Sequence, residues 1–349
     1  MTTTMISSLA LWDAARTSVS RTQNQLGAVS QEVTTGRHYD VGIALGTDTA
    51  RTINTRVLIE DITSIVGMNG VASERLSTMQ SSITGMIDIA RSLFEQATQA
   101  GQQDANRTQF IDSARSMLAT LTDLLSATNN GTYVFAGPNS LSVPVGDYIS
   151  NPPSSSRAVV TGAFASEFGV SPDDPAAGSI TADQIKAYWN GSYSTLFQPP
   201  NWQTTFSSAS DDPTELRIGP QERASYSVNA NDPGIRRLYA ALVAVVDTGA
   251  TNLSASAFGA LAGLVAESAS AAASDLTHSQ ASLGETKSRI TKASDRMAIN
   301  RTVLERVVGG LEGVDQVEAS TRLNSLTTQL QVSYAVTARM FKLSLLDYL

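Results

Sequence analysis

Apolar residues at the end of the chain recur at the spacing of one helix face. The stretch 317–349 contains neither Pro nor Gly, and its main apolar positions are separated by three, four or seven residues. This spacing places them on one side of an α-helix. Such a stripe must be covered by the protein's own core, by a membrane or by another subunit. The candidate contact residues are Leu323, Leu326, Leu330, Tyr334, Phe341, Leu345 and Tyr348.

A second candidate stripe lies in residues 1–36, which the pattern predicts to be helical up to Gly36. Four apolar residues in this stretch are seven apart, so that each heptad contributes one residue to a narrow seam. A helix on an ordinary core carries three or four apolar residues per two turns, and that simpler interpretation stays open. The seam residues are Trp12, Val19, Leu26 and Val33.

The region after the first helix is predicted to contain long helices. After a loop over 37–47, a helical tract runs from about Asp48 to Thr128, with a break near 100–106. Its first part alternates spacings of three and four at Ile62, Ile65, Asn69, Ala72, Leu76, Met79, Ile83, Met86, Ala90, Leu93 and Ala97. Five consecutive heptads favour coiled-coil packing, in which Asn69 would be a polar core position that sets the register. At about 1.5 Å per residue, the first of these helices would be roughly 80 Å long.

Helical spacing returns in the second half of the chain. A helix is predicted at 235–246, and an Ala- and Ser-rich tract without proline follows from about Ala257. This tract places an apolar residue at every seventh position: Leu276, Leu283, Ile290, Met297, Leu304 and Leu311.

Between the helical halves, composition changes abruptly. All 11 prolines of the chain lie between Pro138 and Pro233. Short alternating runs at 157–161, 215–218 and 225–228 are typical of strands, and Gly219-Pro220 lies between the last two. The pattern therefore predicts a separate, mainly β insert.

The predicted fold class is mainly α with a β-rich insert. The N- and C-terminal halves form an elongated rod of long antiparallel helices, and a small mainly β domain is inserted between them. The predicted domains are a terminal helical assembly region (1–46 plus 305–349), a helical rod domain (47–137 plus 234–304) and a β-rich outer insert (138–233).

Composition excludes several function classes. The 349-residue chain has a net charge of -8 and a pI near 4.9, without a basic run, so we expect no nucleic-acid partner. It has no cysteine, which removes disulfides and thiol chemistry. The N-terminus lacks the pattern of a Sec signal peptide, and no window predicts a membrane span. Export would therefore use another route.

Candidate chemistry is sparse. The sequence shows none of the common nucleotide-binding, hydrolase or zinc-protease motifs, and we expect no cofactor and no metal site. His278 lies three residues after Asp275, a spacing that two ligands could share, but a solvated helix face explains it more simply. The acidic pairs Asp173-Asp174 and Asp211-Asp212 precede prolines, where turn chemistry explains them. A hydrolase site in the insert stays an alternative.

Three stretches resemble a known family. These are RLNSLTTQLQVSY at 322–334 with LSLLDYL at 343–349, NNGTYVFAG at 129–137, and the first helix with its Thr-Gly-Arg exit at 35–37. They are similar to the flagellar hook-associated proteins of the FlgL type, which form the hook–filament junction and are close relatives of flagellin. The resemblance covers about the first 137 and the last 115 residues.

The resemblance implies a structural role rather than an enzymatic one. Proteins of this family leave the cell through the flagellar type III channel without a cleaved signal, and their terminal helices polymerise outside the cell. The implied partners are copies of the chain, the adjoining hook-associated junction protein, flagellin and an export chaperone. A divergent flagellin is the alternative within this class, and a secreted translocator or adhesin with coiled-coil arms is a further one.

One hypothesis concerns the two ends. A pair of helices that contact each other through one apolar residue per heptad gains little free energy from burial. This gain is small compared with the conformational entropy lost when the two helices become ordered. We therefore expect the termini to order fully only when neighbouring copies cover them.

Overall fold

The computed structural model describes residues 8–102 and 106–346, with side chains described between 13 and 339 in these ranges. Most of these residues are helical. The helices are α1 (Ser8–Thr35), α2 (Val41–Leu45), α3 (Thr49–Gln102), α4 (Arg107–Leu125), α5 (Ser155–Phe168), α6 (Ala182–Tyr188), α7 (Ser194–Leu196), α8 (Asn201–Thr205), α9 (Pro233–Asp247), α10 (Ala255–Glu312) and α11 (Gln316–Leu346).

Strands are few and short. The antiparallel hairpins are β1 (Thr128–Asn129) with β2 (Thr132–Tyr133), and β3 (Thr214–Arg217) with β4 (Arg223–Tyr226). Short 3₁₀ turns lie at Gly46–Asp48 and Pro175–Ser179, and the segment Trp189–Tyr193 is kinked at Gly191, whose backbone (φ -105°, ψ -109°) is not helical. The mainly α class predicted from periodicity is confirmed.

The chain divides into two compact units. Unit 1 consists of Met1–Ser64 and Met297–Leu349, and unit 2 consists of Ile65–Arg296. The three-domain division expected from the sequence stays a prediction.

Unit 2 is built on an antiparallel pair formed by α3 and α10. Asn69 pairs with Ser294, and the Gln280 amide donates to the Thr84 hydroxyl at 2.7 Å, so the residue numbers fall along one helix as they rise along the other. The predicted heptad positions of α3 in this unit are all buried, because α4, α9 and the insert add further layers to the same core. They are Ile65, Asn69, Ala72, Leu76, Met79, Ile83, Met86, Ala90, Leu93 and Ala97.

The buried polar position in this seam is satisfied. Asn69 is 2 % exposed, and its amide donates to the Ser294 hydroxyl at 3.0 Å and to the Ile218 carbonyl at 3.1 Å. A buried amide is tolerated only where its hydrogen bonds are made, so these two bonds favour one register of α3 on α10.

The insert contains more helix than the strand pattern predicted. The hairpin at β3 and β4 confirms strands near 215–218 and 225–228, whereas 157–161 lies within α5. The prediction of a strand at 157–161 is wrong because tertiary and capping contacts outweigh the propensity of its β-branched residues. Ser154 caps the helix by accepting from the Arg157 backbone, and the Arg157 guanidinium forms two 2.8 Å bonds with the buried Asp247 carboxylate.

Aromatic side chains form the core of the insert. Trp202 is fully buried and stacks on Phe206 with ring centroids 5.3 Å apart, while Tyr239 meets both rings edge-on. The Trp202 indole donates to Asn231 at 2.8 Å, so its polar atom is satisfied within the core.

Among the described residues, α10 is long and apolar enough to cross a membrane by length and composition alone. Its best 18-residue window has a mean hydropathy of 1.2, a level that core helices of soluble proteins also reach. Its residues Ala262, Val265 and Ala269 are fully buried, so α10 is a core helix of this structure. The absence of a membrane span stays a prediction.

Candidate assembly interface in the terminal helices

The first and last helices of the chain form an antiparallel pair in unit 1. The Gln23 amide on α1 donates to the Tyr334 hydroxyl on α11 at 2.6 Å. At the other end of the pair, the Val314 backbone donates to the Gly36 carbonyl at 3.1 Å. Gly36 follows α1 with a φ of 69°, a conformation that favours glycine and turns the chain out of the helix.

The seam between these helices has two positions per heptad, not the one expected for α1. Thr22 and Val29 are buried, at 4 % and 6 % exposure, and they alternate with the predicted residues at spacings of three and four. The predicted seam did not include them, because Thr22 is polar and the prediction rested on a single seven-residue repeat. The full series on α1 is Ala15, Val19, Thr22, Leu26, Val29 and Val33.

The seam of α11 follows the same alternation. It begins at Ala319, which is 1 % exposed. After Leu330 it continues through the half-buried polar residues Ser333 and Thr337, whereas Tyr334 lies beside the seam and is 48 % exposed. Between Leu330 and Thr337 the seam is thus less apolar than the predicted stripe implied.

The predicted contact residues are therefore brought together only in part. Val19, Leu26, Val33, Leu323, Leu326 and Leu330 are half-buried on the facing helices. The side chains of Trp12, Phe341 and Leu345, and the whole of Tyr348, lie outside the described residues. Their role at a subunit interface stays a prediction.

A buried carboxylate, which the sequence reading did not identify, lies at the base of this pair. The Glu312 side chain is 1 % exposed, and it accepts from Arg56 Nε at 2.8 Å and also from Arg56 Nη2. Arg37 Nη1 lies 3.6 Å from the same carboxylate. The hydrogen bonds from Arg56 and the positive charge of both arginines hold the pKa of Glu312 below its usual value.

Backbone contacts join the same segments. Arg37 and Gly313 form an antiparallel bridge, and the His38 backbone donates to the Glu312 carbonyl at 2.9 Å. A Cβ on Gly313 would lie 2.5 Å from the Gly309 carbonyl oxygen, so this connection requires glycine. We call Arg37, Arg56, Glu312 and Gly313 the clasp, because they tie the exit of α1 to α3 and to the end of α10.

A second carboxylate supports the exit of α1. Glu32 is 9 % exposed, and its Oε1 accepts from the Tyr39 backbone at 3.1 Å. His38 lies 3.7 Å and Arg322 lies 3.9 Å from the same carboxylate. Glu32 thus connects α1 to the following loop and to α11.

Unit 1 leaves large apolar side chains in solvent. On α3, Ile53 and Val57 are 55 % and 59 % exposed, and on α10, Ile299 and Val303 are 65 % and 49 % exposed. Each pair is four residues apart and therefore lies on one face of its helix. Neighbouring exposed apolar side chains of this kind are candidates for contact with a partner.

Two of the acidic residues considered for a hydrolase site take part in local hydrogen bonds. The Asp174 carboxylate caps the turn at Pro175, as turn chemistry predicts, and Asp211 accepts from the Gln203 and Asn231 amides. Among the described residues, no group of three His, Cys, Asp or Glu side chains is placed to hold a metal ion.

The fold and the site define a class of helical protein whose chain ends pair with each other and leave apolar surface uncovered. The model of the bacterial flagellin N-terminal helical region matches residues 6–140, and the model of the flagellin C-terminal helical region matches residues 267–349. Together they cover more than half of the chain, which therefore belongs to the flagellin family. The protein is accordingly a structural component of the bacterial flagellum, outside the cell, that polymerises.

A solved structure from Vibrio parahaemolyticus, described as a proposed flagellar hook-associated protein, has a similar fold. The similarity has a TM-score of 0.52 at 8 % sequence identity, and it covers 76 % of this chain and 97 % of the other. At this identity the likeness concerns the fold alone. No protein with a curated function matches this sequence.

Proposed function

We propose that this protein forms the junction between hook and filament, and that it polymerises there through the pair formed by α1 and α11. The proposal rests on the incomplete burial of the seam between α1 and α11. Its apolar residues are half-buried in the single chain, so further copies would bury the remaining area. The exposed pairs on α3 and α10 offer apolar surface for the same contacts.

One further observation favours a junction protein over a filament subunit. The segment LSLLDYL at 343–349 resembles the junction proteins more than the flagellins. Export through the flagellar type III channel with a chaperone, and contact with the neighbouring junction protein and flagellin, belong to the same proposal.

The decisive experiment removes 323–349 and examines the cells by electron microscopy. We expect hooks without filaments and flagellin released into the medium, because α1 has lost its partner. Immunoblots of the medium establish whether the shortened chain is still exported. Normal filaments on cells that export it would contradict the proposal.

A divergent flagellin is the second candidate, favoured by the matches to both flagellin terminal regions. Immunogold labelling separates the two functions. Label confined to a short band next to the hook supports the junction, and label along the whole filament supports flagellin.

A further inference from the structure

A cleft in unit 2 has the composition of a ligand site, although the structural role of the protein does not require one. It has a volume of about 530 Å³ and lies between the kinked segment Trp189–Tyr193, α9 and α10. Small-molecule sites in proteins have volumes of roughly 300–1,000 Å³. The lining combines the aromatic residues Trp189, Tyr193 and Phe197 with polar groups, among them Asn190, Gln198, Arg236 and Glu267.

The aromatic wall is held rigidly. The half-buried Trp189 stacks on Tyr193, with ring centroids 5.3 Å apart and planes at 27°. Tyr193 is 1 % exposed, and its hydroxyl donates to the Ala240 carbonyl at 2.6 Å. Trp189 and Tyr193 both line the cleft, so its wall includes two stacked aromatic rings.

Two charged groups from different helices line the same cleft. Arg236 on α9 donates to the Asn231 carbonyl at 2.9 Å and to the Phe197 carbonyl at 3.0 Å, so its guanidinium is fixed without a carboxylate partner within 4 Å among the described residues. Glu267 on α10 is exposed and also lacks a hydrogen-bond partner in the described part of the chain. One group donates and the other accepts.

The charges of the lining balance. Arg237 also lines the cleft, but Asp275 lies 2.9 Å from it and neutralises it. Arg236 and Glu267 remain, with opposite charges. The side-chain amides of Asn190 and Gln198 add uncharged donors and acceptors. This set matches a neutral ligand with many hydroxyl groups better than an anion or a cation.

We propose that this cleft binds a neutral saccharide ring, with the C–H face of the sugar against Trp189 and its hydroxyls bonded to Arg236 and Glu267. An aromatic plane contacts the apolar face of a pyranose, while fixed donors and acceptors on the rim select its hydroxyls. The sugar is either a free monosaccharide or one residue of a polysaccharide. The inference does not depend on whether the protein forms the junction or the filament.

Binding is tested on the full-length protein by saturation-transfer difference NMR and isothermal titration calorimetry. The probes are glucose, galactose, mannose and N-acetylglucosamine, with glucuronic acid and glucosamine as charged counterparts. We expect at least one neutral sugar to bind with a Kd on the order of 1 mM, and more tightly than either charged sugar. Failure of all four neutral sugars at 100 mM, or tighter binding of a charged sugar, would overturn the proposal.

The two sources of the sugar are distinguished by length. Hexasaccharides of the sugar that binds are compared with the monosaccharide. If the hexasaccharide binds about tenfold more tightly or better, the natural ligand is a polysaccharide. If the two affinities are equal, the ligand is the free sugar.

Variants locate the binding site. Trp189→Ala is expected to raise the Kd by at least about tenfold, and Glu267→Gln is expected to raise it by roughly three- to tenfold. Phe94→Ala is the matched control, because Phe94 is 43 % exposed on α3 outside the cleft, and it should leave the Kd unchanged. Thermal unfolding confirms that each variant is folded, and Glu267→Gln provides a test should Trp189→Ala fail to fold. Unchanged binding in a folded Trp189→Ala or Glu267→Gln variant would contradict the proposed site.

Discussion

The two compact units bury their heptad seams to different depths. In unit 2, Leu76, Met79 and Ile83 on α3 are fully buried, because α4, α9 and the insert extend the core around the pair of long helices. In unit 1, Leu26 and Leu330 are only half-buried, since α1 and α11 cover mainly each other. The same spacing of apolar residues therefore gives a closed core in one unit and an open seam in the other. The number of covering layers determines the difference.

Breaking the open seam should have the largest effect on assembly. Leu330→Asp places a charge in the half-buried seam of α11, at a cost of roughly 3 kcal/mol or more wherever water is excluded. We expect self-association, measured by analytical ultracentrifugation, to disappear while the unfolding midpoint of unit 2 stays unchanged.

The matched control is Gln331→Asp, which adds the same charge at the next residue, an exposed position outside the seam. It should retain most of the self-association. Equal loss in both variants would show that negative charge on α11, rather than the seam, prevents assembly.

A substitution in the closed core of unit 2 should lower the stability of that unit, whereas a substitution in the open seam of unit 1 should weaken self-association. Leu76→Ala removes a fully buried side chain and should lower the free energy of unfolding of unit 2 by roughly 2–5 kcal/mol. Leu326→Ala, at a half-buried position of α11, should leave the main urea transition in place and weaken self-association instead. If Leu326→Ala lowered that transition as much as Leu76→Ala, the two seams would not differ as described.

The clasp allows a test of how much a buried charge stabilises unit 1. Glu312→Gln keeps the shape of the side chain and removes the charge that faces Arg56 and Arg37. Loss of these charge-assisted bonds should cost roughly 1–3 kcal/mol, which raises the critical concentration for self-association by about 5- to 150-fold. Glu222→Gln is the control, because its pair with Arg296 has exposed side chains and such pairs contribute about 1 kcal/mol or less.

The same group predicts a pH dependence. Arg56 and Arg37 lower the pKa of Glu312 in the folded protein, so its stabilising contribution is complete above the unfolded pKa of about 4.5. The contribution is lost as the pH falls below that value and through the lowered folded pKa. Comparing the wild-type chain with Glu312→Gln between pH 7 and 3 should show their critical concentrations converging at the acid end. A constant ratio would assign the effect to shape rather than charge.

The smallest expected effect concerns the polar residue in the seam of α1. Thr22 is buried, and among the described residues its hydroxyl bonds only to the Ser18 carbonyl of its own helix. Thr22→Val should lower the critical concentration by up to about fivefold, because an apolar methyl replaces a hydroxyl in the seam. Thr34→Val removes the equivalent bond to Ser30 at an exposed position and should have no effect. Weaker association in Thr22→Val would show that the hydroxyl supports the seam.

The long helices and their buried faces were predictable from the sequence. Spacings of three and four alone identified the α3 core positions, because a straight amphipathic helix repeats its environment every heptad. The turn at Asn130-Gly131 and the break before Arg107 were likewise visible as local signals. In each case the physical cause lies within a few residues along the chain.

Only the tertiary structure determined the rest. Helix α5 replaces an expected strand because Arg157 meets Asp247, 90 positions later in the chain. The clasp joins Arg56 to Glu312 across 256 positions, and the cleft at Trp189 depends on side chains from α9 and α10. No local pattern encodes such pairs. From the sequence alone, an isolated arginine or glutamate in a helix is predicted to be exposed to solvent, because its distant partner is not visible in the neighbouring residues. Periodicity thus decided which faces are apolar, and long-range packing decided which of them are covered.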